Sequence, residues 1–152
     1  MRVLFGAGTL AETGKEARKL GKRALVVSYG DGSIAGALAK IRALLAEVGV
    51  AAQDFLGVTP KPSIEMVARG VAVTKAFGAD LVIGVGGGSA MDAAKAIAAG
   101  CLYTHGDLWN MVYASHSNVT AQPPEHSHFP PLVFSGTRWV SSTSPFRLTV
   151  II

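Results

Sequence analysis

Cysteine is almost missing from this sequence. Cys101 is the only one, which excludes an internal disulfide and suits a reducing, cytoplasmic compartment. Alone, it reads as a small buried hydrophobe rather than a nucleophile. No apolar run approaches the roughly 20 residues that a membrane-spanning helix needs, and no leader-like segment opens the chain, so no membrane partner is expected. Aromatic residues are scarce, at 7%, and none interleaves with the densest basic cluster, Lys15, Arg18, Lys19, Lys22 and Arg23. Stacking platforms for nucleic acid are therefore lacking, and the cluster reads as the solvated face and C-terminal end of one helix, where cations are favoured. Charged residues make up only 16% of the chain and the net charge is +4, too modest for a disordered polyelectrolyte.

What remains is apolar and glycine-rich. Hydrophobic residues are 49% of the chain and glycine occurs 18 times, a profile of folded α/β domains. A length of 152 residues suits one domain with a core of its own. The stretch around which the rest is organised runs from Leu81 to Ala98. Leu81 to Val85 is short, apolar and partly β-branched, as a strand covered on both faces should be. Gly86, Gly87 and Gly88 then remove every Cβ where the backbone turns. Ser89, with Asp92 three residues on, has the spacing of a capping box, and Ala90 to Ala99 is a strong helix former. A helix N-terminus with free N–H groups and no side-chain bulk before it is a phosphate site. The N–H groups from Gly87 to Ala90 would hold a pyrophosphate.

These residues also carry a resemblance. The run GGGSAMDAAKAIA, Gly86 to Ala98, resembles the GGGSxxDxxK signature of the iron-containing (group III) alcohol dehydrogenases. Val3 to Leu10 resembles that family's opening FGxGxL, Arg23 to Ser28 its next strand, Lys61-Pro62-Ser63 its NPT turn, and Gly106 to Asn110 its GDxWD stretch. The likeness spans residues 2 to 113. It implies NAD or NADP as cofactor, a small alcohol or aldehyde as substrate, and hydride transfer between them with a divalent metal, iron or zinc, polarising the alcohol oxygen.

The chain in order predicts alternating strands and helices. Arg2 to Phe5 reads as a strand. Gly6 to Ala11 formally matches the dinucleotide fingerprint G-x-G-x-x-A, but it reads better as a loop with Thr9 capping a helix from Leu10 to Leu20. Arg23 to Ser28 is a strand, Ile34 to Val48 a helix closed by Gly49, Val50 to Leu56 a strand, and Ser63 caps a helix to Phe77 closed by Gly78. This β-α repeat with short connections predicts a Rossmann-like parallel sheet with helices on both faces. Its ligands should sit at the carboxyl ends of the strands, beside the loops at 29–33, 57–62 and 86–89.

Candidate site residues follow. Gly86, Gly87, Gly88 and Ser89 form the phosphate turn. Asp92 and Lys95 share one helix face and read alone as an i,i+3 ion pair; the resemblance places them in the active-site cleft near the nicotinamide. Tyr29 stands where NAD-preferring members carry an aspartate, and Asp31 lies two residues on. NAD is favoured if Asp31 reaches the ribose, and a 2′-phosphate is accepted if it does not.

Beyond Val112 the periodicity fades. Domain 1–113 is expected to bind the dinucleotide, and 114–152 to be an irregular Pro-, His- and Ser-rich tail with one or two possible strands, one of them at Leu132 to Phe134, and an apolar end at Leu148 to Ile152. His116, His126 and His128 have no carboxylate or cysteine at a metal-ligand spacing, so no metal ligand is assigned. Ser135 to Ser142 does not match the family's second glycine loop. The family's helical metal-binding domain is lacking, so the chain reads as a truncated or frame-altered product that forms homo-oligomers through uncovered apolar surface. Alone, it should bind nucleotide weakly and turn over little or nothing. Two further readings stay open: a non-catalytic nucleotide-binding module, and a fragment of a glycerol dehydrogenase or dehydroquinate-synthase-like enzyme.

Overall fold

The computed structural model describes residues 7–103, residue 108 and residues 147–151, the last as backbone. The expected strand at Arg2–Phe5, the possible strand at Leu132–Phe134 and the three tail histidines lie outside the described residues. Four strands form one parallel sheet in the order β2-β1-β3-β4. They are β1 (Arg23–Tyr29), β2 (Ala51–Val58), β3 (Leu81–Val85) and β4 (Arg147–Ile151). The helices are α1 (Thr13–Leu20), α2 (Ala35–Glu47), α3 (Ile64–Phe77) and α4 (Gly88–Leu102).

The layers follow from strand alternation. Leu25 and Val27 of β1 and Val82 of β3 face one side, where they pack with Met66, Val67 and Val71 of α3 and the alanines of α4. Ala24 and Val26 of β1 with Leu81, Ile83 and Val85 of β3 face the other, against Ala17 of α1 and Leu38, Ile41 and Leu45 of α2. All five residues of β3 are buried, as a strand covered on both faces must be. The step from β1 to β2 runs one way along the sheet and the step from β2 to β3 runs back past β1. Right-handed crossovers then put α2 and α3 on opposite faces.

Helix ends follow local chemistry. The Ser63 hydroxyl accepts the Met66 N–H at 3.2 Å, and Gly78 at φ 66° returns its N–H to Lys75 O. Gly49 at φ 69° likewise donates to Ala46 O at 3.0 Å. The first helix differs from expectation. Thr9–Glu12 is a 3-10 turn whose cap position is Gly8 at φ 85°, not Thr9, and the α-helix starts only at Thr13. Gly8 in the left-handed region is followed by the tighter 3-10 turn, a common way for an α-helix to begin. The basic cluster is largely spoken for on the helix surface and beyond: Lys15 pairs with Glu12 at 3.7 Å, Lys19 with Glu16 at 2.7 Å, and the Arg23 guanidinium lies 4.5 Å from the centre of the Phe77 ring. No helix of the described residues is long and apolar enough to cross a membrane.

The tail contributes one strand to the sheet. Residues 147–151, at its apolar end, run parallel to β3 from Leu81↔Arg147 to Val85↔Ile151.

Candidate functional site: a glycine turn at the sheet's switch point

The chain leaves β1 toward one face of the sheet and β3 toward the other, so the carboxyl ends of these neighbours open a crevice, the place where ligands bind in open α/β sheets. Tyr29 ends β1 and the glycine turn follows β3, so the topology brings Tyr29, Gly86, Gly87, Gly88 and Ser89 to one place.

The turn is built from small residues. At Gly84 a Cβ would lie 2.9 Å from Ala94 Cβ, so the missing side chain lets α4 lie close on β3. Ala90, Ala93, Ala94 and Ile97 are fully buried along that contact. Gly86 has φ 134°, a conformation open to glycine. The Tyr29 ring crosses it, with Cε2 2.6 Å from where a Gly86 Cβ would be and its hydroxyl 3.4 Å from a Gly87 Cβ. Space in front of Gly88 is open, since a Cβ there would meet nothing within 4 Å.

The cap itself departs from the expected capping box. The helix begins at Gly88, Gly87 is the N-cap, and no side chain caps it. Gly87 O accepts from Ala90 N at 3.0 Å and Met91 N at 3.2 Å. Glycine freedom allows the helix to start one residue before a serine cap would, which leaves Ser89 inside the first turn and Asp92 beyond reach of the cap. Ala90 N–H is thus used within the turn and drops out of the expected donor set. Among the described residues, the N–H groups of Gly88 and Ser89 have no bonded acceptor. Two N–H groups without an acceptor, a positive dipole end and open space at Gly88 fit a pyrophosphate.

Asp92 does meet Lys95, at 3.9 Å, with both side chains partly exposed. Asp31 is exposed and folded back on its own loop: its Oδ1 accepts from the Ser33 hydroxyl at 2.6 Å and the Ser33 N–H at 2.9 Å. Those two bonds, the hydroxyl's first, hold its carboxyl below the usual carboxylate value. Beside Tyr29 lies an open depression of about 140 Å³ lined by Gly30, Gly32, Leu38, Arg42 and Leu56 among others. Arg42 does not point there as a free cation, because its guanidinium is paired with both oxygens of Asp54. Burial pushes the Cys101 thiol up, as expected of a packing residue. Among the described residues no three His, Cys, Asp or Glu side chains gather as a metal would require.

Ser28 also belongs to this end of the sheet, a residue that no motif in the sequence marks. Its side chain is fully buried and its hydroxyl donates to Val85 O at 2.7 Å. The available signal was a polar residue closing the apolar run Ala24 to Val27.

A parallel sheet with helices on both faces and a glycine turn at the switch point defines a Rossmann-like domain. The family model described as iron-containing alcohol dehydrogenase matches residues 1–137, and this chain belongs to that family. It is 42% identical over 113 residues to NADH-dependent butanol dehydrogenase A of Clostridium acetobutylicum, a match covering 73% of this chain and 28% of that protein. It is 37% identical over 124 residues to probable NADH-dependent butanol dehydrogenase 1 of Bacillus subtilis, covering 80% of this chain and 32% of that one. Among solved structures, NADH-dependent butanol dehydrogenase A from Thermotoga maritima superimposes with a TM-score of 0.66 at 38% identity over 72% of this chain and 28% of that one. The chain therefore spans roughly a third or less of the relatives it matches.

Proposed function

We propose that this chain is the dinucleotide-binding part of a nicotinamide-dependent alcohol dehydrogenase, with residues 1–113 as the binding unit. The observation that carries the proposal is the glycine turn at the switch point, where the Gly88 and Ser89 N–H groups have no acceptor among the described residues and a Cβ at Gly88 would meet nothing within 4 Å. These two groups would hold the pyrophosphate. The nicotinamide, when bound, supplies hydride chemistry. The protein's part is to fix the cofactor: Gly86 makes room for the Tyr29 ring that walls one side, Gly87 keeps the turn free of side-chain bulk, and Asp92 and Lys95, further along α4, are the pair that the family resemblance assigns to the cleft.

Relatives bear both NADH-dependent and NADPH-dependent names. For this chain NAD(H) is the proposed cofactor. The ground is charge rather than a ribose contact: Asp31 is turned back onto Ser33, but the one cation among the described residues lining the depression beside Tyr29, Arg42, is already paired with Asp54, so a 2′-phosphate would find no free partner there. The substrate class proposed is a small alcohol or aldehyde, in keeping with the butanol dehydrogenases and the lactaldehyde reductase of Escherichia coli among the relatives. A cytoplasmic location rests on the lone cysteine. Self-association is part of the proposal too, although Leu56 is the only large apolar side chain exposed among the described residues; light scattering at micromolar concentration tests it.

The deciding experiment is calorimetric titration of the chain with NADH and NADPH beside a Gly87→Asp variant. Tighter binding of NADH, lost in the variant, supports the proposal. Equal affinity of variant and wild type removes the glycine turn as the site.

A further inference from the structure

We infer that Ser28 is a positioning residue for dinucleotide binding: its hydroxyl holds the peptide from which the glycine turn starts and so aims the turn's N–H groups. This rests on the dinucleotide reading above and adds a residue that touches no ligand.

Three polar side chains are buried among the described residues: Thr13, Ser28 and Thr74. Thr74 satisfies its hydroxyl locally, donating to Gly70 O one turn back at 2.7 Å. Ser28 does not. Its hydroxyl reaches 57 positions along the chain to Val85 O on the neighbouring strand. The place of that bond is informative. The backbone register between β1 and β3 ends at Val27↔Gly84. Ser28 and Val85 fall one step further, where the two strands diverge toward their loops. A side chain takes over the pairing where the ladder stops.

The consequence passes directly into the turn. The carbonyl of Val85 and the N–H of Gly86 belong to one planar trans peptide and point in opposite directions. Fixing the oxygen fixes the N–H, and with it the plane from which Gly86 turns at φ 134°. The ring of Tyr29 covers the same glycine and packs with the α3–α4 face. Strand alternation sends Ser28 to the opposite face from Tyr29. Consecutive residues of β1 therefore hold the turn from two sides, one by a hydrogen bond and one by contact. With both ends of Gly86 held, Gly88 and Ser89 present their N–H groups in a set direction without being ordered by the ligand.

The full chain should be titrated with ADP-ribose and separately with adenosine, as wild type, Ser28→Ala and Ser28→Thr. Loss of one aligned hydrogen bond predicts that Ser28→Ala binds ADP-ribose about ten-fold more weakly. Adenosine, which has no pyrophosphate, should bind all three equally, and threonine should restore ADP-ribose binding because it keeps the hydroxyl. Equal binding of ADP-ribose by Ser28→Ala and wild type overturns the inference. So does an equal loss for both ligands, which would mark a general effect on folding. A second measurement guards against a variant that unfolds. In ¹⁵N–¹H spectra of whichever of Ser28→Ala and Ser28→Cys folds, the Gly87, Gly88 and Ser89 resonances should shift while those of α3, on the opposite face of the sheet, stay. Unshifted turn resonances overturn the inference. A wild type that binds no ADP-ribose overturns the dinucleotide reading itself, a result told apart from a wild type that binds and a Ser28→Ala variant that binds as well.

Discussion

Gly86→Ala loads the site at a single point. Two separate penalties arise. At φ 134° an alanine sits in sparsely populated backbone space, at a cost of about 1–3 kcal/mol. Its methyl would also lie 2.6 Å from Tyr29 Cε2 and 3.2 Å from Ala90 Cβ, and overpacking of this kind costs about 1–3 kcal/mol. Together they amount to about 2–6 kcal/mol, a large part of the stability of an ordinary domain. The two parts separate in a double-mutant cycle with Tyr29→Ala. Without the ring the backbone penalty stays and most of the clash goes, so Gly86→Ala should cost about 1–2 kcal/mol less in that background. Urea unfolding followed by circular dichroism measures all four proteins. The same cost in both backgrounds would refute the ring contact. A cost below about 0.5 kcal/mol with Tyr29 present would refute the strained backbone as well.

Three other outcomes are expected. Asp80 accepts backbone N–H bonds from Lys22 at 3.0 Å and Arg23 at 2.9 Å, fastening the start of β1 beside β3, so Asp80→Ala should lower stability by about 1–2 kcal/mol in thermal unfolding. Lys61 is the only non-glycine residue with positive φ among the described residues, at 60°; asparagine tolerates that conformation better, and Lys61→Asn should stabilise by about 0.5 kcal/mol in the same assay. The Asp31 carboxyl, lowered from its ordinary 3.8 by Ser33, titrates in the folded chain below its unfolded value. Its contribution to stability is therefore complete above about pH 4 and lost as the pH falls through the lowered value. In Ser33→Ala the Asp31 titration followed by NMR should move up toward 3.8.

Features carried by contiguous residues were readable without the structure. The strand Leu81–Val85 and the alanine helix after it follow from a short apolar run, a glycine break and a run of strong helix formers. Ser63 and Gly78 mark both ends of α3 because each acts on the backbone within its own turn. The capping box at Ser89 failed for a backbone reason: a side-chain spacing suggests where a helix can start, but glycines upstream let it start earlier. Helix Leu10–Leu20 begins instead as a 3-10 turn after the left-handed Gly8. The bond from Ser28 to Val85, the Arg42–Asp54 pair and the pairing of β4 with β3 were out of reach, since each depends on a partner in another element, and no local period records such a partner. The site was legible as a turn. What grips it was not.

The pairing of β4 with β3 has a consequence for folding order. Strands β1 to β3 and their helices lie within residues 23–102, whereas β4 joins after an intervening stretch of about 60 residues, whose closure entropy is of the order of 4 kcal/mol. Five backbone pairs return little against that, so β4 should dock last and exchange its amide protons first. Until it docks, the edge of β3, the most apolar strand of the sheet, stands open to any extended segment, a second unfolded copy included. The yield of folded chain should therefore fall with protein concentration during refolding. The strand that shows least in the sequence would then decide how much of the protein survives its own synthesis.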